Sequence, residues 1–383
     1  MKRHSAAAVP LALVALWAAS SAHAQSSVTL YGIIDLGVDY ANNVAPAANG
    51  AVLPGAGQKL VQMQSGVPAG SRWGLRGSED LGDGLKTIFK LESGFNAATG
   101  AEGGGGLAFS RNAFVGLQSS TLGTVTLGKQ WDASVDIVEP FSLNGQYGGW
   151  YFSHPNDMDN LDNGFSINNA VKYVSPTIAG FTFESHYSFG GKAGQFSNNS
   201  TYSAALGYDG GPFTAGVGYL RVNNPITAVA GYGSGGGYVN AIYGNALADA
   251  SSQSVLAAGA AYNFGAFKLM GDATNTAFKS ADGLGNTNFQ NYEVSGIYSF
   301  TSAFTLGVGY TYTVGHYHMT ETTSKYQQVN AIAQYNLSKR TSVYAMGSVQ
   351  HASGGATVAQ IAGFIPSSTN QQVVTRVGIT HSF

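Results

Sequence analysis

The feature of this sequence that most limits its fold is a period-two alternation of apolar and polar residues. Between Val28 and Tyr40 the even positions are nearly all apolar, whereas Asp35 and Asp39 stand at odd positions. Residues 181–189 and 304–312 alternate in the same way. This period predicts β-strands with one apolar and one polar face, which fit either a soluble sandwich or a membrane barrel.

The connections between these segments distinguish the two alternatives. Short turns occur near residues 82, 122, 175, 210, 264, 301 and 338. Longer polar stretches, rich in Gly and Asn, are centred near residues 55, 102, 150, 194, 236, 282, 319 and 360. Short turns on one side and long loops on the other are typical of outer-membrane barrels. A tyrosine precedes five of the turns, as expected of an aromatic girdle: Tyr173, Tyr208, Tyr262, Tyr298 and Tyr335. The sequence therefore predicts an all-β, transmembrane antiparallel β-barrel of sixteen strands, with short periplasmic turns and long external loops.

The one long apolar run of the chain lies at its start. A basic segment is followed by apolar residues 6–19 and by the small-x-small pattern Ala22-His23-Ala24. We expect cleavage after Ala24, so that residues 1–24 are a signal peptide and residues 25–383 form the barrel domain. A signal anchor is the alternative, which Pro10 and the shortness of the run disfavour.

Charged residues are scarce, at 10% of the 383 residues against roughly 25% in ordinary soluble domains. Without Lys2 and Arg3 the chain keeps 16 basic and 20 acidic residues, a net charge of −4. The chain has no excess of basic residues, so its charge does not indicate nucleic acid as a partner. The absence of cysteine excludes disulfides, thiol catalysis and Cys-ligated zinc. The composition is thus poor in charge for a soluble surface.

Several long motifs carry a resemblance to a known family. They are QSSVTLYGIIDLGVDY (25–40), GSRWGLRGSEDLGDGLKTIFKLESGFN (70–96), RNAFVGL (111–117), GTVTLGKQWD (123–132), NNAVKYVSPTIAGFTF (168–183) and RVGITHSF (376–383). Over essentially the whole mature chain these motifs resemble the general diffusion porins of Gram-negative bacteria, especially the β-proteobacterial subgroup of the Burkholderia, Bordetella and Neisseria type. The resemblance implies an outer-membrane, water-filled channel through which ions and small hydrophilic solutes diffuse passively, with no cofactor. It also implies a homotrimer in contact with outer-membrane lipid and lipopolysaccharide, assembly by the barrel-assembly machinery, and a third external loop folded into each pore.

The few charges cluster in two regions. The third long loop, residues 131–168, has six carboxylates and no Lys or Arg, whereas strands two to five carry six basic residues. An inward loop would set its carboxylates against a basic wall, and charged rows of this kind let pores discriminate among ions. We expect the basic side of the constriction to be Arg72, Arg76, Lys86, Arg111 and Lys129. The expected acidic side is Asp132, Asp136, Glu139 and Asp157, and the further lumen-facing residues are Tyr31, Asp35, Lys90 and Glu92.

Strand parity supports these assignments unevenly. Arg72 and Arg76 alternate with apolar neighbours, and an arginine facing lipid at mid-bilayer costs roughly 2–4 kcal/mol, so both point inward. Lys129 and Arg111 share parity with apolar residues, and a bulge or a loop entry is needed to turn them inward. For Lys86, Lys129 and Arg111 a position at the rim of the barrel stays the alternative.

Other site classes are weaker. Residues 156–164 look like a calcium loop, but Leu161 occupies a ligand position, and His316 and His318 lack a third metal ligand. A barrel enzyme would need a Ser–His or Asp–His set, and the six mature histidines have no partner evident from spacing. A structural or adhesin barrel would be marked by an added soluble domain. We therefore expect no metal and no enzyme.

Two further expectations concern assembly and selectivity. Phe383 ends the last strand on its apolar face, and in related porins the terminal aromatic residue is an assembly signal. The net charge of −4, the acidic third loop, and Gly128-Lys129-Gln130 where the subgroup usually has GRQ together predict weak selectivity tilted toward cations.

Overall fold

The computed structural model describes residues 27–45, 47–48, 51–52, 57–229, 240–242, 246–247, 250–283, 285–318 and 320–383. The predicted signal peptide, residues 1–24, lies outside them. The wall strands are β1 Ser27–Val44, β2 in two segments Gln58–Ser65 and Arg72–Gly82, β3 Leu85–Gly94, β4 Asn112–Ser119, β5 Gly123–Gln130, β6 Ile167–Val174, β7 Phe181–Ser188, β8 Thr201–Gly210, β9 Phe213–Asn223, β10 Ala250–Asn263, β11 Phe267–Ser280, β12 Asn286–Ser299, β13 Phe304–Tyr317, β14 Thr322–Asn336, β15 Thr341–Gly354 and β16 Gln371–Ser382. The pairs Ala47–Ala48 and Ala51–Val52 form a separate small ribbon. No helix in the described ranges combines the length and apolar character needed to cross a membrane.

The strands form one closed antiparallel sheet. Each strand pairs with the next along the chain, and β16 pairs with β1 from Ser382 opposite Ile33 to Val374 opposite Ala41. The other edge of β1 pairs with both segments of β2, so seventeen hydrogen-bonded segments occupy sixteen positions in the wall. The predicted sixteen-stranded barrel is confirmed.

Residues 66–71 interrupt β2 because they cannot continue its ladder. Gly66 has a φ of 75°, and Pro68 has no N–H to donate. The freed backbone bonds inward instead: Val67 N–H donates to Asp35 Oδ1 at 2.9 Å. Val67 O accepts from the Trp150 N–H at 3.2 Å, which attaches the interruption to the third loop.

Alternation along the strands separates a lumen face from an outer face. In β1, Asp35 and Asp39 are buried on the inner side, while Ile34 and Val38 are exposed on the outer side. Large apolar side chains are exposed at outer positions of most strands, so the barrel presents a band suited to lipid.

The seven predicted short turns are confirmed, but the predicted long loops are not all long. The connections near residues 282 and 319 span only residues 281–285 and 318–321. The polar, Asn-rich sequence there continues the alternation, so it extends β12, β13 and β14 to 14 or 15 residues instead of forming loops. By contrast β4 to β7 have 8 residues each.

The third loop, residues 131–166, lies inside the barrel. It begins with helix α1, Ala133–Val138, followed by short helical turns at Glu139–Phe141, Asn144–Gly148, Gly149–Phe152 and Pro155–Asp157. Helix α1 packs on the inner face of β9, where a Cβ at Gly218 would lie 2.7 Å from Ser134 Oγ and one at Gly216 2.7 Å from an Ile137 methyl carbon. Glycine is therefore required for this approach, and the predicted inward loop is confirmed. A four-residue helix, α2 Pro225–Ala228, lies after β9.

Candidate functional site

Glu92 is the centre of the charged wall formed by β1 to β4. Arg111 Nε lies 2.9 Å from Glu92 Oε1, and Lys90 Nζ lies 3.3 Å from Oε2. Tyr31 donates its hydroxyl to Oε2 at 2.8 Å. Two cations and a phenol thus surround one buried carboxylate, and three of the expected lumen-facing residues, Tyr31, Lys90 and Glu92, contact one another here.

The charged wall and the acidic third loop face each other across a cavity of about 370 Å³. Arg72 and Arg111 line it on the wall side, and Glu139 and Asp162 line it on the loop side. Asn163 joins the two sides, since its Nδ2 donates to Glu139 Oε1 at 2.9 Å and its Oδ1 lies 3.5 Å from Arg111 Nη2. We call this region the loop–wall cleft, and we include in it the neighbouring cavity of about 320 Å³ that Arg111, Lys129 and Trp131 line.

Burial weakens the negative charge on the loop side of the cleft. It raises the pKa of Glu139 to about 8, with repulsion from Asp162 and Asp136 adding to the rise. Burial also raises the pKa of Asp162 to about 7, against the opposing effects of the Asn144 amide and the Arg111 guanidinium. At neutral pH neither carboxyl is therefore fully ionised.

Lys129 and Arg76 also face the lumen. The ladder between β5 and β6 shifts register beside Gly128, whose φ is 137°, and Lys129 Nζ donates to Asn168 Oδ1 at 2.9 Å. This irregularity turns Lys129 inward despite its parity. The Arg76 guanidinium lies 5.2 Å from the centre of the Tyr31 ring, on the inner side of β1.

Lys86 lies apart from the cleft. It is the second residue of β3, beside the turn at Asp83-Gly84, and its side chain is exposed. It lines neither of the two cavities of the cleft. The structure therefore favours the rim alternative for Lys86.

Two of the four expected acidic residues do not face the pore. Asp132 is fully buried as the N-cap of α1, where Oδ1 accepts the Ser134 and Val135 N–H groups at 2.8 and 3.3 Å. Asp157 is also buried, and its carboxylate accepts the backbone N–H groups of Asp162 and Gly164. A short carboxylate at a helix or turn start satisfies backbone donors, a role that counting charges does not reveal.

Asp136 points to a different wall from the one predicted. Its carboxylate pairs with Lys172 on β6, and Lys172 Nζ also lies 3.4 Å from Glu184 Oε2 on β7. Asp136 therefore faces a cation that the sequence analysis did not place in the pore.

Sequence reasoning also missed Arg376. Its fully buried guanidinium lies 3.1 Å from Asp35 Oδ1 and 2.8 Å from Asp39 Oδ1, across the junction of β1 and β16. Its Nε donates to the Tyr344 hydroxyl at 2.8 Å. The sequence did contain a signal for it: Asp35 and Asp39 are four residues apart on the inner face of β1, and two buried carboxylates need a cation on a neighbouring strand.

Phe383 completes the same junction. Its N–H donates to Gly32 O at 3.0 Å, and its carbonyl accepts from Gly32 N–H at 3.1 Å. Its ring covers Gly32, because a Cβ there would lie 2.3 Å from the Phe383 Cζ. The terminal residue thus contributes to closing the barrel.

A closed barrel with an apolar outer belt, an inward loop and a charged cleft defines an outer-membrane channel protein. A family model described as Gram-negative porin matches residues 6–355, and the chain belongs to that family. It is similar to an outer membrane porin protein of Bordetella pertussis, at 32% identity over 86% of this chain and 90% of that protein. It is also similar to outer membrane porin protein 32 of Delftia acidovorans, at 31% identity over 97% and 99% of the two chains. The solved anion-selective porin from Comamonas acidovorans superposes with a TM-score of 0.73, at 26% identity over 94% of this chain and 100% of that one.

The chain is therefore a porin of the Gram-negative outer membrane, a channel for passive diffusion of ions and small hydrophilic solutes and not an enzyme.

Proposed function

We propose that this porin prefers anions and that permeating ions pass through the loop–wall cleft. The observation that carries the proposal is an imbalance of free charge on the two sides of the loop–wall cleft. In the described part of the chain, Arg72, Arg76 and Lys129 have no carboxylate within ion-pair distance, whereas Asp136 is paired and Asp132 and Asp157 bind backbone groups. The two acids that line the cleft, Glu139 and Asp162, have raised pKa values.

This proposal replaces the weak cation preference expected from the sequence. That expectation counted every carboxylate of the third loop as a pore charge, and burial removes Asp132 and Asp157 from the count. The anion selectivity of the similar Comamonas acidovorans porin supports the same direction.

The test is the reversal potential of single pores in a planar bilayer under a KCl gradient. We expect chloride to be favoured at pH 6, and Arg72→Gln together with Lys129→Gln to shift the potential toward potassium, because charges within about 8–10 Å of the path dominate selectivity. Lys339→Gln, in the exposed turn after β14, is the matched control and should leave the potential unchanged. A cation-selective unmodified pore would overturn the proposal.

We also propose that the porin is a homotrimer whose contacts include β4 to β7. These strands have 8 residues, fewer than the roughly 9–11 of a strand that spans lipid alone. Their outer faces are apolar, with Val115, Leu117 and Leu127 each about half exposed. A short apolar wall is stabilised when a neighbouring subunit covers it.

Export and insertion complete the proposal. We infer that residues 1–24 are removed, that the barrel-assembly machinery inserts the chain with Phe383 as its signal, and that the outer surface contacts lipid and lipopolysaccharide. Mass spectrometry of the mature protein should find Gln25 at its N-terminus. Deletion of Phe383 should sharply reduce surface levels, whereas Ser382→Ala should not, and normal levels of the truncated chain would contradict the assignment.

A further inference from the structure

Three potential metal ligands meet between the third loop and the wall. His154 comes from the loop, Asp272 from β11 and Glu293 from β12, and their ligand atoms all lie within 4.8 Å of one another. His154 Nε2 is 3.4 Å from Asp272 Oδ1 and 3.8 Å from Glu293 Oε2. All three residues are buried, with 2%, 6% and 5% of their surface exposed.

Two of these residues have polar atoms whose bonding capacity is unused. Within the described ranges, His154 Nε2 and both carboxylate oxygens of Asp272 have no hydrogen-bond partner. Leaving a buried carboxylate unpaired is costly, and such groups are normally paired or bound to a metal. Nε2 of His154 and Oδ1 of Asp272 face each other at 3.4 Å without a hydrogen bond between them.

The charge of the cluster has the same implication. Asp159, Asp272 and Glu293 place three carboxylates around one imidazole, so even an imidazolium would leave two negative charges in excess. A divalent cation bound to the neutral imidazole lowers the excess to one negative charge, whereas the imidazolium leaves two.

The surroundings hold the imidazole in the orientation that a metal requires. Asp159 Oδ2 lies 2.5 Å from His154 Nδ1, and the same oxygen accepts from Thr274 Oγ1 at 2.6 Å and Asn291 Nδ2 at 3.2 Å. A carboxylate on one ring nitrogen fixes the tautomer and leaves the other nitrogen free to ligate. Asp272 lies opposite Glu293 in the pairing of β11 with β12, and Thr274 lies opposite Asn291 two residues along. The first cross-strand pair therefore supplies two metal ligands, and the second donates hydrogen bonds to Asp159.

Glu293 is positioned by the loop as well. Its Oε1 accepts the Leu143 N–H at 2.6 Å and the Ser295 hydroxyl at 2.5 Å, while Oε2 accepts from Thr311 Oγ1 at 3.2 Å. Oε2 keeps a second lone pair for a cation.

We propose that His154, Asp272 and Glu293 bind one divalent transition metal of the zinc type, which fixes the third loop to β11 and β12. An imidazole nitrogen among the ligands favours zinc over calcium or magnesium, which select all-oxygen sites. Zinc–ligand bonds of about 2.0–2.2 Å place tetrahedral ligands roughly 3.3–3.6 Å apart. The carboxylate oxygens of Asp272 and Glu293 lie 3.4 and 3.8 Å from His154 Nε2, close to that range. The second Asp272 oxygen or a water molecule completes the coordination.

The experiment uses the folded porin extracted from membranes, stripped with a strong chelator and titrated with Zn²⁺. We expect about one zinc per protomer by elemental analysis after desalting, with Ca²⁺ and Mg²⁺ failing to compete. His154→Gln should abolish this stoichiometry. Thr274→Val, which removes one bond to Asp159, should weaken binding by about 10–100-fold. His316→Gln, at an exposed histidine of β13, is the control and should bind normally.

A second readout does not depend on any variant folding. Co²⁺ added to the stripped, unmodified porin should give the visible d–d absorption of a low-coordinate nitrogen–oxygen site, and Zn²⁺ should displace it. Absence of that absorption, or zinc binding that His154→Gln leaves unchanged, would overturn the proposal and leave His154 as an imidazolium paired with the carboxylates.

Discussion

Arg376 shows at the residue scale how this barrel handles buried charge. Its guanidinium pairs with Asp35 and Asp39, bonds to Tyr344 and also donates to the backbone oxygen of Gln64 at 2.9 Å. Asp35, Asp39 and Arg376 lie at the junction where the first and last strands meet, and Tyr344 and Gln64 lie on the strands that flank it. A charge with this many partners stabilises only while its partners remain.

We predict that Arg376→Gln destabilises the barrel by about 3–5 kcal/mol, because it leaves two buried carboxylates without a cation. Combining Arg376→Met with Asp35→Asn and Asp39→Asn should cost less than the single change, since no unpaired charge then remains. The measurement is the denaturant midpoint followed by tryptophan fluorescence in detergent. Arg340→Gln, at an exposed turn, is the matched control. An unaltered midpoint for Arg376→Gln would show that the ion pair is not needed.

The raised pKa values of Glu139 and Asp162 predict a pH-dependent selectivity. A carboxyl with a raised pKa is neutral below that value and gains its negative charge above it. The anion preference should therefore be greatest near pH 5–6 and decline as pH rises through about 7 and 8. Reversal potentials measured from pH 5 to 9 test this, and Glu139→Gln combined with Asp162→Asn should flatten the curve. A preference that grows with pH would contradict the assignment.

At the scale of elements, the packing of α1 on β9 holds the start of the third loop against the inner face of the barrel. The helix rests on Gly216 and Gly218, and a Cβ at Gly218 would lie 2.7 Å from Ser134 Oγ and 3.0 Å from Ser134 Cα. Because the second contact is to backbone, a rotamer change cannot relieve it.

We predict that Gly218→Val displaces the start of the third loop and raises both single-channel conductance and current noise. The comparison is Gly347→Ala on β15, where the nearest atom to a new Cβ is 3.4 Å away, an ordinary contact. Single-channel recording of both variants against the unmodified pore measures the effect. Equal conductance in all three proteins would mean that α1 tolerates the side chain.

Strands and turns could be predicted from the sequence where they depend on residues that are close together in the chain. Alternation and turn residues define the strands, because one face meets lipid and the other meets the lumen. The extension of β12, β13 and β14 into two predicted loops was missed, since a polar Asn-rich stretch can either pair or loop out. The roles of Asp132 and Asp157 were missed because a count of charges does not show which carboxylates accept backbone N–H groups inside the third loop. The position of His154 was missed because it depends on contacts between the third loop and distant strands, as with Asp272.

At the scale of the whole molecule, the wall is uneven. β4 to β7 have 8 residues, whereas β10 to β13 have 14. A barrel surrounded only by lipid would have to thin the bilayer along its short side, at a cost for each ångström of mismatch. Covering that side with another subunit removes the mismatch, so unequal strand lengths favour association through β4 to β7.

The absence of cysteine allows a direct test of this arrangement, because one substitution supplies the only thiol. Val115 on β4 and Val308 on β13 are both outward-facing and about half exposed. Val115→Cys therefore places a thiol on the short side of the barrel, and Val308→Cys places a comparable thiol on the long side.

We predict that the native species is a trimer that boiling converts to a chain of about 37 kDa, scaled from 39.6 kDa for 383 residues. In that trimer Val115→Cys should react slowly with a lipid-soluble maleimide and give short spin-label distances between subunits, while Val308→Cys should react quickly and give long ones. Equal reactivity at both positions would place the subunit contacts elsewhere, and a monomer by analytical ultracentrifugation in mild detergent would remove the trimer.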